Sequence, residues 1–600
     1  MHLEKPKIRR NLFEIENARN MTRDEVVNTF VPPKLFWRLL SPKHHVLLGS
    51  RGSGKTAVAR MLSHDHLSKL TKFPNAKRLI RSKAIIGMYI PTRLEWVGAL
   101  TNKPWLSLKQ QEEFFQWRFN LSTCRALVTA LQSCIETFIS DKYERAHTER
   151  KIATELSANW LNDSCILFNL FDLKEYLDTT EFKKQMQFAR VQSLGDVQEA
   201  NSSSNDCFGI DILSPLKRGI KLASRQLDIP EETAWLLCVD EVEFLESYHL
   251  KILNSLMRAH TDNLFFKITT MPYMHDKTTN TQVPLEEGHD FEYLFLDHDP
   301  IFRRRIPKES SSYGTWFARA LFKRRVKESD NRHAQVTIDE FLGKSILLDP
   351  SKEDWCDNSK NWDLMKRYST RKTIDRADRL YKDNLGHFMD QIGRKIHGAL
   401  LLRSAIEGLK GTERLSIYSG ATMVNRCGDC NPRRLIRIFN AMLYIANPKT
   451  GRKKSKARYP IDSTLQTREL IRLSDQTLAA VQSEPIRGLR LHALITRIGE
   501  VLKSMLYDQK LSTDQATSIE IDEFISDKDW ELIKYAVAIG LLSPNIKHGR
   551  PNDLPVRNGS FHLGFILAPH FRLLPRRGKA IKLSLFWPEP KLFETFHNGE

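Results

Sequence analysis

An apolar stretch at residues 46–48 runs directly into Gly-Ser-Arg-Gly-Ser-Gly-Lys-Thr at residues 49–56, and a helical pattern follows. Glycines at this spacing let backbone N–H groups curl around a phosphate, and the helix directs its positive end toward it. The spacing therefore predicts a strand, a nucleotide-binding loop and a helix. In this pattern the Lys55 side chain reaches the terminal phosphates, and the Thr56 hydroxyl binds Mg²⁺. The backbone expected to surround the phosphates belongs to Gly49, Gly52, Ser53 and Gly54.

Length and patterning exclude several protein classes. No apolar run approaches the roughly 20 residues that a bilayer crossing requires. The first ten residues lack the apolar segment of a secretory signal. Eight cysteines scattered over 600 residues do not resemble a disulfide framework. We therefore expect a cytoplasmic protein of several domains without a membrane partner.

The charge balance indicates a polyanionic partner. The formal net charge is +20, with 92 Lys and Arg against 72 Asp and Glu. A surplus of this size favours nucleic acid first. A basic, solvated surface without any dedicated binding site explains the same composition, so charge alone does not decide between the two.

Further apolar runs predict an α/β fold with a parallel sheet. Continuous apolar strands that alternate with helices are typical of a sheet covered on both faces. Residues 140–230 are charged, mostly helical and weakly patterned, which suggests an insertion into the nucleotide-binding domain. The chain becomes helical again over residues 316–446. The predicted strands that follow the first one occupy residues 84–90, 234–239, 264–268 and 293–296.

Adjacent carboxylates follow one of these strands. Asp240 and Glu241 come directly after the apolar run that ends at Val239. Hydrolysis of a bound nucleotide needs a carboxylate on the metal and a group that activates water. We therefore expect Asp240 to hold Mg²⁺ through water and Glu241 to act on the attacking water.

Two later segments carry polar groups that suit the same site. Thr269 and Thr270 end the next strand, where a hydroxyl either reaches the same water or simply caps the strand. Residues 431–434 read Asn-Pro-Arg-Arg at the start of an amphipathic helix, where proline is favoured. An arginine there would contact the γ-phosphate, since guanidinium matches phosphate geometry. Alternatively, these arginines simply form a basic helix terminus.

In this order the loop, the Asp-Glu strand, the polar strand end and the Asn-Pro-Arg helix resemble an AAA+ ATPase. The most similar branch is the origin-recognition and cell-division-control initiator type. The resemblance implies slow hydrolysis of ATP with Mg²⁺. It also implies Thr270 as the first sensor, Arg433 as the lid sensor and Arg434 as a second nucleotide contact.

The same resemblance implies an AAA+ core with a parallel sheet, a helical lid domain and a C-terminal winged helix. The corresponding boundaries are 1–300 for the N-terminal segment and nucleotide-binding domain, 301–447 for the lid, 448–464 for a basic linker and 465–600 for the winged helix.

The chain departs from this family pattern at two places. The family usually has asparagine at the first sensor, and Thr270 has a shorter reach. The arginine that completes a neighbour's site normally precedes the last strand of the core, yet residues 272–292 contain no arginine. A closed ring therefore stays an open question. The nearest candidates for a trans-acting finger are Arg303, Arg304 and Arg305.

The C-terminal part has a composition that suits contacts with DNA. Helices at residues 491–506 and 530–537 precede predicted strands at 560–567 and 580–585, which we expect to form the late β-hairpin of a winged helix. A turn at 575–579 would project its cations toward phosphates. Alternatively, this wing docks on the chain's own ATPase domain. The candidate DNA contacts are Lys547, Arg550, Arg576, Arg577 and Lys579.

Together these features predict an ATP-driven switch on DNA that forms a homo-oligomer. The expected setting is antiphage defence or mobile-element and genome maintenance, and a separate effector protein would execute the output. One alternative is a nucleotide-dependent, oligomerising signalling scaffold that senses a protein trigger and does not bind DNA. Another is a motor or loader that acts on nucleic acid.

Overall fold

The structure is a computed structural model, which describes most of the chain. The described residues are 11–92, 108–161, 165–194, 207–259, 263–281, 283–297, 313–329, 335–356, 359–408, 415–446, 459–545, 554 and 557–587. Among them, no helix combines the length and apolar content that a membrane crossing requires.

A five-stranded parallel sheet forms the centre of the N-terminal half. Its strands lie in the spatial order β2-β3-β4-β1-β5, and each neighbouring pair is parallel. The predicted α/β class with a parallel sheet is confirmed. The strands are β1 (His45–Leu48), β2 (Ile85–Pro91), β3 (Ala234–Asp240), β4 (Leu264–Thr270) and β5 (Glu292–Phe295).

The two faces of this sheet are covered by different sets of helices. Alternate residues of β3 lie in two different apolar clusters, one on each face of the sheet. Leu237 and Val239 belong to the first cluster, and Leu236 and Cys238 belong to the second. Burial on both faces explains why each strand is a continuous apolar run. The helices of the second cluster are α1 (Arg23–Thr29), α2 (Phe36–Leu39), α3 (Lys55–Leu62), α4 (His64–Leu67) and α5 (Pro74–Arg81).

The first cluster includes most of the segment expected as an insertion. Trp160 is 1% exposed and its Nε1–H donates to Pro215 O at 3.0 Å. A Cβ at Gly219 would lie 2.5 Å from the Trp160 ring, so the helices approach closely there. The described helices between residues 140 and 230 therefore belong to the layer on the sheet. The helices of this layer are α6 (Leu108–Phe138), α7 (Lys142–Trp160), α8 (Leu170–Leu194), α9 (Ser214–Gln226) and α10 (Ser247–Arg258).

The C-terminal half contains further helices around a third apolar cluster. This single cluster joins the helices on both sides of the expected basic linker, for example through Phe439 and Leu494. The helices are α11 (Tyr313–Ser329), α12 (Ile338–Leu342), α13 (Glu353–Cys356), α14 (Ser359–Tyr368), α15 (Arg371–Asp383), α16 (Leu385–Phe388), α17 (Arg394–Glu407), α18 (Ala421–Cys427), α19 (Pro432–Ala446), α20 (Ser463–Ala480), α21 (Gly488–Tyr507), α22 (Asp527–Ala538) and α23 (Ala568–Phe571).

A second, four-stranded sheet corrects the expected late hairpin. Its spatial order is β7-β8-β6-β9, so the last two strands lie on opposite sides of β6 and do not pair. The antiparallel partner of β8 is instead β7. The apolar run at 560–567 stops being a strand at Gly564, because the following residues turn into helical structure. The strands are β6 (Ala516–Glu520), β7 (Leu542–Pro544), β8 (Ser560–Leu563) and β9 (Lys579–Lys582).

The burial of Trp160 allows a test of stability. Trp160→Ala removes a buried ring from the sheet-covering layer, so we expect a loss of about 3–5 kcal/mol in the free energy of unfolding. Tyr143→Ala is the control on the same helix because its side chain is 86% exposed. Its effect should stay within about 0.5 kcal/mol. Denaturant unfolding followed by circular dichroism measures both, and equal stabilities would contradict the shared core.

Candidate functional site

The predicted site residues meet at the carboxyl edge of the central sheet. Strand β4 lies between β1 and β3, and its register places Thr270 beside Leu48. Parallel strands end at a common edge, and binding sites form in the crevice outside those ends. The loop after β1 and the carboxylates after β3 therefore lie on the two sides of the β4 terminus.

Two glycines of the loop have backbone angles that a side chain would oppose. Gly52 has φ +87° and Gly54 has φ +97°. A Cβ at Gly52 would also lie 2.9 Å from Arg433 Cβ. Ser53 is buried, and its hydroxyl has no hydrogen-bond partner in the described part of the chain. The loop thus combines a tight backbone with a polar group that a ligand can use.

Lys55 is buried at the start of α3 among the loop's own carbonyls. Its ammonium group donates to Gly49 O at 2.8 Å and lies 3.8 Å from Glu243 Oε1. Burial raises the pKa of Glu243, and the charge of Lys55 opposes that rise. The Lys55 ammonium therefore lies between the loop carbonyls and the Glu243 carboxylate.

Asp240 is held by two hydroxyl donors. The Tyr89 hydroxyl donates to Asp240 Oδ2 at 3.0 Å, and the Thr269 hydroxyl donates to Oδ1 at 2.5 Å. Asp240 is fully buried. Burial raises the pKa of Tyr89, and the Asp240 charge raises it further, so this phenol remains a donor. A carboxylate fixed in this way presents a constant geometry to a metal-bound water.

Glu241 occupies a left-handed backbone conformation, with φ +60°. Its N–H donates to Thr269 Oγ1 at 2.9 Å, and its carbonyl accepts from the Thr92 hydroxyl at 2.7 Å. The side chain then reaches the phosphate loop, where Glu241 Oε1 lies 3.5 Å from Thr56 Oγ1. The other carboxylate oxygen forms an ion pair with Arg19.

The start of α19 lies directly on the phosphate loop. Asn431 Nδ2 donates to Arg51 O at 3.0 Å, and the Arg433 N–H donates to Gly52 O at 3.3 Å. Pro432 is the first residue of the helix, where its missing N–H costs nothing. The structure thus brings Arg433, the expected lid sensor, to the loop.

Several guanidinium groups surround Arg433. Burial lowers its pKa, and the nearby charges of Arg51, Arg437 and Arg19 lower it further. Glu16 opposes this effect. In the described part of the chain, the Arg433 guanidinium has no hydrogen bond or ion pair, although it is half-buried. A concentration of positive charge at a phosphate loop favours a multiply charged anion.

Arg434 contacts a different region from the one expected. Its guanidinium forms an ion pair with Asp429 Oδ2 at 2.9 Å and donates to Gly540 O. Asp429 also accepts from the Phe565 N–H at 2.6 Å. The pair therefore connects α19 to the C-terminal region instead of the loop, and burial raises the pKa of Asp429 to about 6.

The C-terminal region also contacts the loop itself. The Arg51 N–H donates to Ala538 O at 2.9 Å, and the Arg51 side chain pairs with Glu484 at 2.6 Å. Arg51 is thus bonded to the α22 terminus through its backbone and to Glu484 through its side chain. The loop is therefore attached directly to the C-terminal region.

The structure distinguishes the two threonines named at the end of β4, and it adds two carboxylates, Glu243 and Asp297, that the sequence analysis did not select. Thr269 bridges Asp240 and the Glu241 backbone, whereas Thr270 is fully buried beside Glu243. Asp297, two residues after the end of β5, accepts from the Ser50 N–H at 2.5 Å. The sequence offers one signal for Glu243, which is its place two residues after Glu241. Only the fold reveals Asp297.

The predicted DNA and finger residues have mixed outcomes. Arg577 and Lys579 are exposed. Arg576 does not project as expected, because its guanidinium donates to Lys395 O and burial lowers its pKa to about 10. The residues that lie outside the described ranges are Arg303, Arg304, Arg305, Lys547 and Arg550.

These groups fit a magnesium–nucleoside triphosphate. The Ser53 hydroxyl, the loop backbone and the arginines suit phosphates, and Thr56 with Asp240 suits the oxygen-rich shell of Mg²⁺. Among the described residues, no group of three or more His, Cys, Asp or Glu is arranged so that it could hold a metal ion. A metal here would therefore be held together with phosphate oxygens and water.

Comparison with known proteins gives one match. A family model described as ORC-CDC6-like matches residues 11–583, which is nearly the whole chain. No curated protein and no solved structure matches this chain.

The raised pKa of Asp429 predicts that the free energy of unfolding depends on pH. The folded carboxyl titrates near 6 and an ordinary one near 3.8, so the folded state binds more protons between these values. Its contribution to stability is present below about pH 4 and is lost as pH rises to about 6. Wild type should therefore lose stability relative to Asp429→Asn over this interval. Urea unfolding at pH 4, 5 and 6 measures the difference.

The control is Asp378→Asn, since Asp378 is exposed on α15. Its stability difference from wild type should stay constant over the same pH values. If the Asp429→Asn difference were also constant, the carboxyl would titrate normally in the folded protein.

Proposed function

The chain belongs to the ORC-CDC6-like family, and from this premise we propose that it binds and hydrolyses MgATP and acts as a nucleotide-driven switch on DNA. The family match supports an AAA+ ATPase of the initiator type, a group that generally binds and hydrolyses ATP. The observation that carries the proposal is the meeting of Thr56, Asp240 and Glu241 at one edge of the sheet.

Each residue of this site has a role that its position supports. The loop amides and Ser53 bind phosphate oxygens, and Lys55 neutralises their charge. Thr56 and Asp240 hold Mg²⁺, which offsets the negative charge of the phosphates when it is bound. Glu241 orients the attacking water and accepts its proton.

The lid and the C-terminal region would carry the response to the nucleotide. The Arg433 N–H donates to the Gly52 carbonyl, and Arg51 bonds to Ala538 and Glu484. A phosphate that draws Arg433 and the loop together moves these attachments. We therefore propose that the occupied and free sites differ in how the C-terminal region is held.

DNA is the proposed target of this movement. The net charge of +20 and the exposed Arg577 and Lys579 support contacts with phosphate backbone. The sequence contains no nuclease, protease or deaminase signature, so a separate effector protein would execute the output. A homo-oligomer in antiphage defence or mobile-element and genome maintenance is the proposed setting.

A second candidate is a signalling scaffold without DNA. The helical layer on the sheet exposes large apolar side chains, among them Phe168 at 55%, Phe171 at 62% and Phe182 at 61%. Exposed aromatic side chains on neighbouring segments favour a protein partner. In this case the nucleotide would control assembly, and the helical layer would receive a protein trigger.

Two substitutions separate binding of ATP from its hydrolysis. Lys55→Ala should weaken ATP binding at least about 100-fold because it removes the cation at the phosphates. Glu241→Gln should leave affinity within about threefold but lower kcat by about 10²–10⁴-fold. Fluorescent-nucleotide titration and phosphate release measure the two effects. Lys69→Ala, on an exposed residue, is the control. Wild-type turnover by Glu241→Gln would remove that residue from its role.

Charge reversal tests the DNA proposal. Arg577→Glu with Lys579→Glu should weaken duplex binding at least about tenfold and lower the salt slope by about two, because two phosphate contacts are lost. The matched control is Lys142→Glu with Lys151→Glu, which reverses two exposed charges on α7. Fluorescence anisotropy with two unrelated duplexes provides the measurement. Equal affinities for both double variants would favour the scaffold.

A further inference from the structure

An arginine from the N-terminal segment lies inside the proposed ATP site. The Arg19 guanidinium forms an ion pair with Glu241 Oε2, although 222 residues separate the two in sequence. The other oxygen of the same carboxylate lies 3.5 Å from Thr56 Oγ1. A single carboxylate therefore separates Arg19 from the hydroxyl that would hold Mg²⁺.

The segment around Arg19 is attached to the helix that follows the phosphate loop. Asn17 Oδ1 accepts from the Arg19 N–H at 3.0 Å and fixes a short helical turn. Arg60, on α3, donates to Met21 O at 3.1 Å and also to Ala18 O. Because α3 begins at Lys55, Arg19 has a constant place relative to the loop.

The same segment is also attached to the lid helix α19. Glu16 forms a bidentate pair with Arg437, and both hydrogen bonds are 3.0 Å long. Arg433 lies one helical turn before Arg437, and the Arg19 charge helps to lower the pKa of Arg433. Arg19 thus approaches the phosphate site from the side that the lid also faces.

The chemistry of guanidinium allows Arg19 to contact a phosphate while it stays on Glu241. A guanidinium has five N–H donors, and the ion pair with Glu241 engages one terminal nitrogen of Arg19. The Arg19 side chain is 36% exposed, so a ligand can approach part of it. A triphosphate carries more negative charge than one carboxylate, and arginine matches the geometry of phosphate oxygens.

We propose that Arg19 is a phosphate-contacting arginine that the chain supplies in cis, and that it binds the terminal phosphate of ATP beside Glu241. This inference rests on the proposed function, because it assigns one more residue to that ATP site. It gives the site a second arginine from its own chain besides Arg433, whereas residues 272–292 provide none for a neighbour.

Single substitutions test this role. Arg19→Ala should lower kcat for ATP at least about 100-fold, and Arg19→Lys should keep part of the activity because a charge remains without the fork of donors. Arg23→Ala, on the next exposed arginine, is the matched control and should stay within about twofold of wild type. Phosphate release and nucleotide titration measure kcat and affinity. Thermal melting of each variant reports folding.

The outcomes separate the two proposals. A wild-type protein that neither binds nor hydrolyses ATP removes the proposed function and this inference together. An active wild type with an equally active Arg19→Ala overturns only the role of Arg19. A variant faster than wild type overturns it as well, since Arg19 would then restrain Glu241.

Mixing two inactive variants tests the cis assignment. Arg19→Ala keeps Lys55, and Lys55→Ala keeps Arg19, so an arginine that acts on a neighbouring chain would restore turnover in the mixture. We expect the mixture to show only the sum of the separate activities. Recovery of more than about a tenth of wild-type turnover would overturn the cis assignment.

Discussion

The parallel pairing of β4 with both β1 and β3 is the constraint on which the site depends. It brings the carboxyl ends of three strands to one edge, so residues far apart in sequence share a crevice. Thr269 uses this position to bond Asp240 and the Glu241 backbone together. Without that register the phosphate loop would have no carboxylates beside it.

A second set of contacts joins this edge to the rest of the chain, and arginines provide most of it. Arg433 and Arg51 connect the loop to α19 and the C-terminal region, Arg60 holds the N-terminal segment, and Arg434 joins α19 to Gly540. Arginine suits such junctions because its donors reach several carbonyl and carboxylate oxygens at once. The candidate site is therefore bonded directly to the N-terminal segment, to α19 and to the C-terminal region.

The strands and the phosphate loop could be predicted closely because local patterns decide them. Continuous apolar runs and glycines at required spacing report burial and backbone conformation directly. The late hairpin was wrong, because β8 and β9 each pair with β6 and pairing depends on distant partners. Arg434 was assigned to the nucleotide by the family resemblance and Arg576 to DNA by its charge, but both reach carbonyl oxygens of their own chain.

By itself, the sequence determined the phosphate loop, the Asp240–Glu241 pair, the parallel α/β core and the family resemblance. Each of these can be inferred from short patterns of neighbouring residues. The tertiary structure alone decided that Thr269 bridges the Asp240 carboxylate and the Glu241 backbone, that Arg19 pairs with Glu241 and that the described helices between residues 140 and 230 cover the sheet. The physical reason is sequence separation. A local pattern specifies which backbone a segment adopts, whereas contacts across hundreds of residues exist only once the chain has packed.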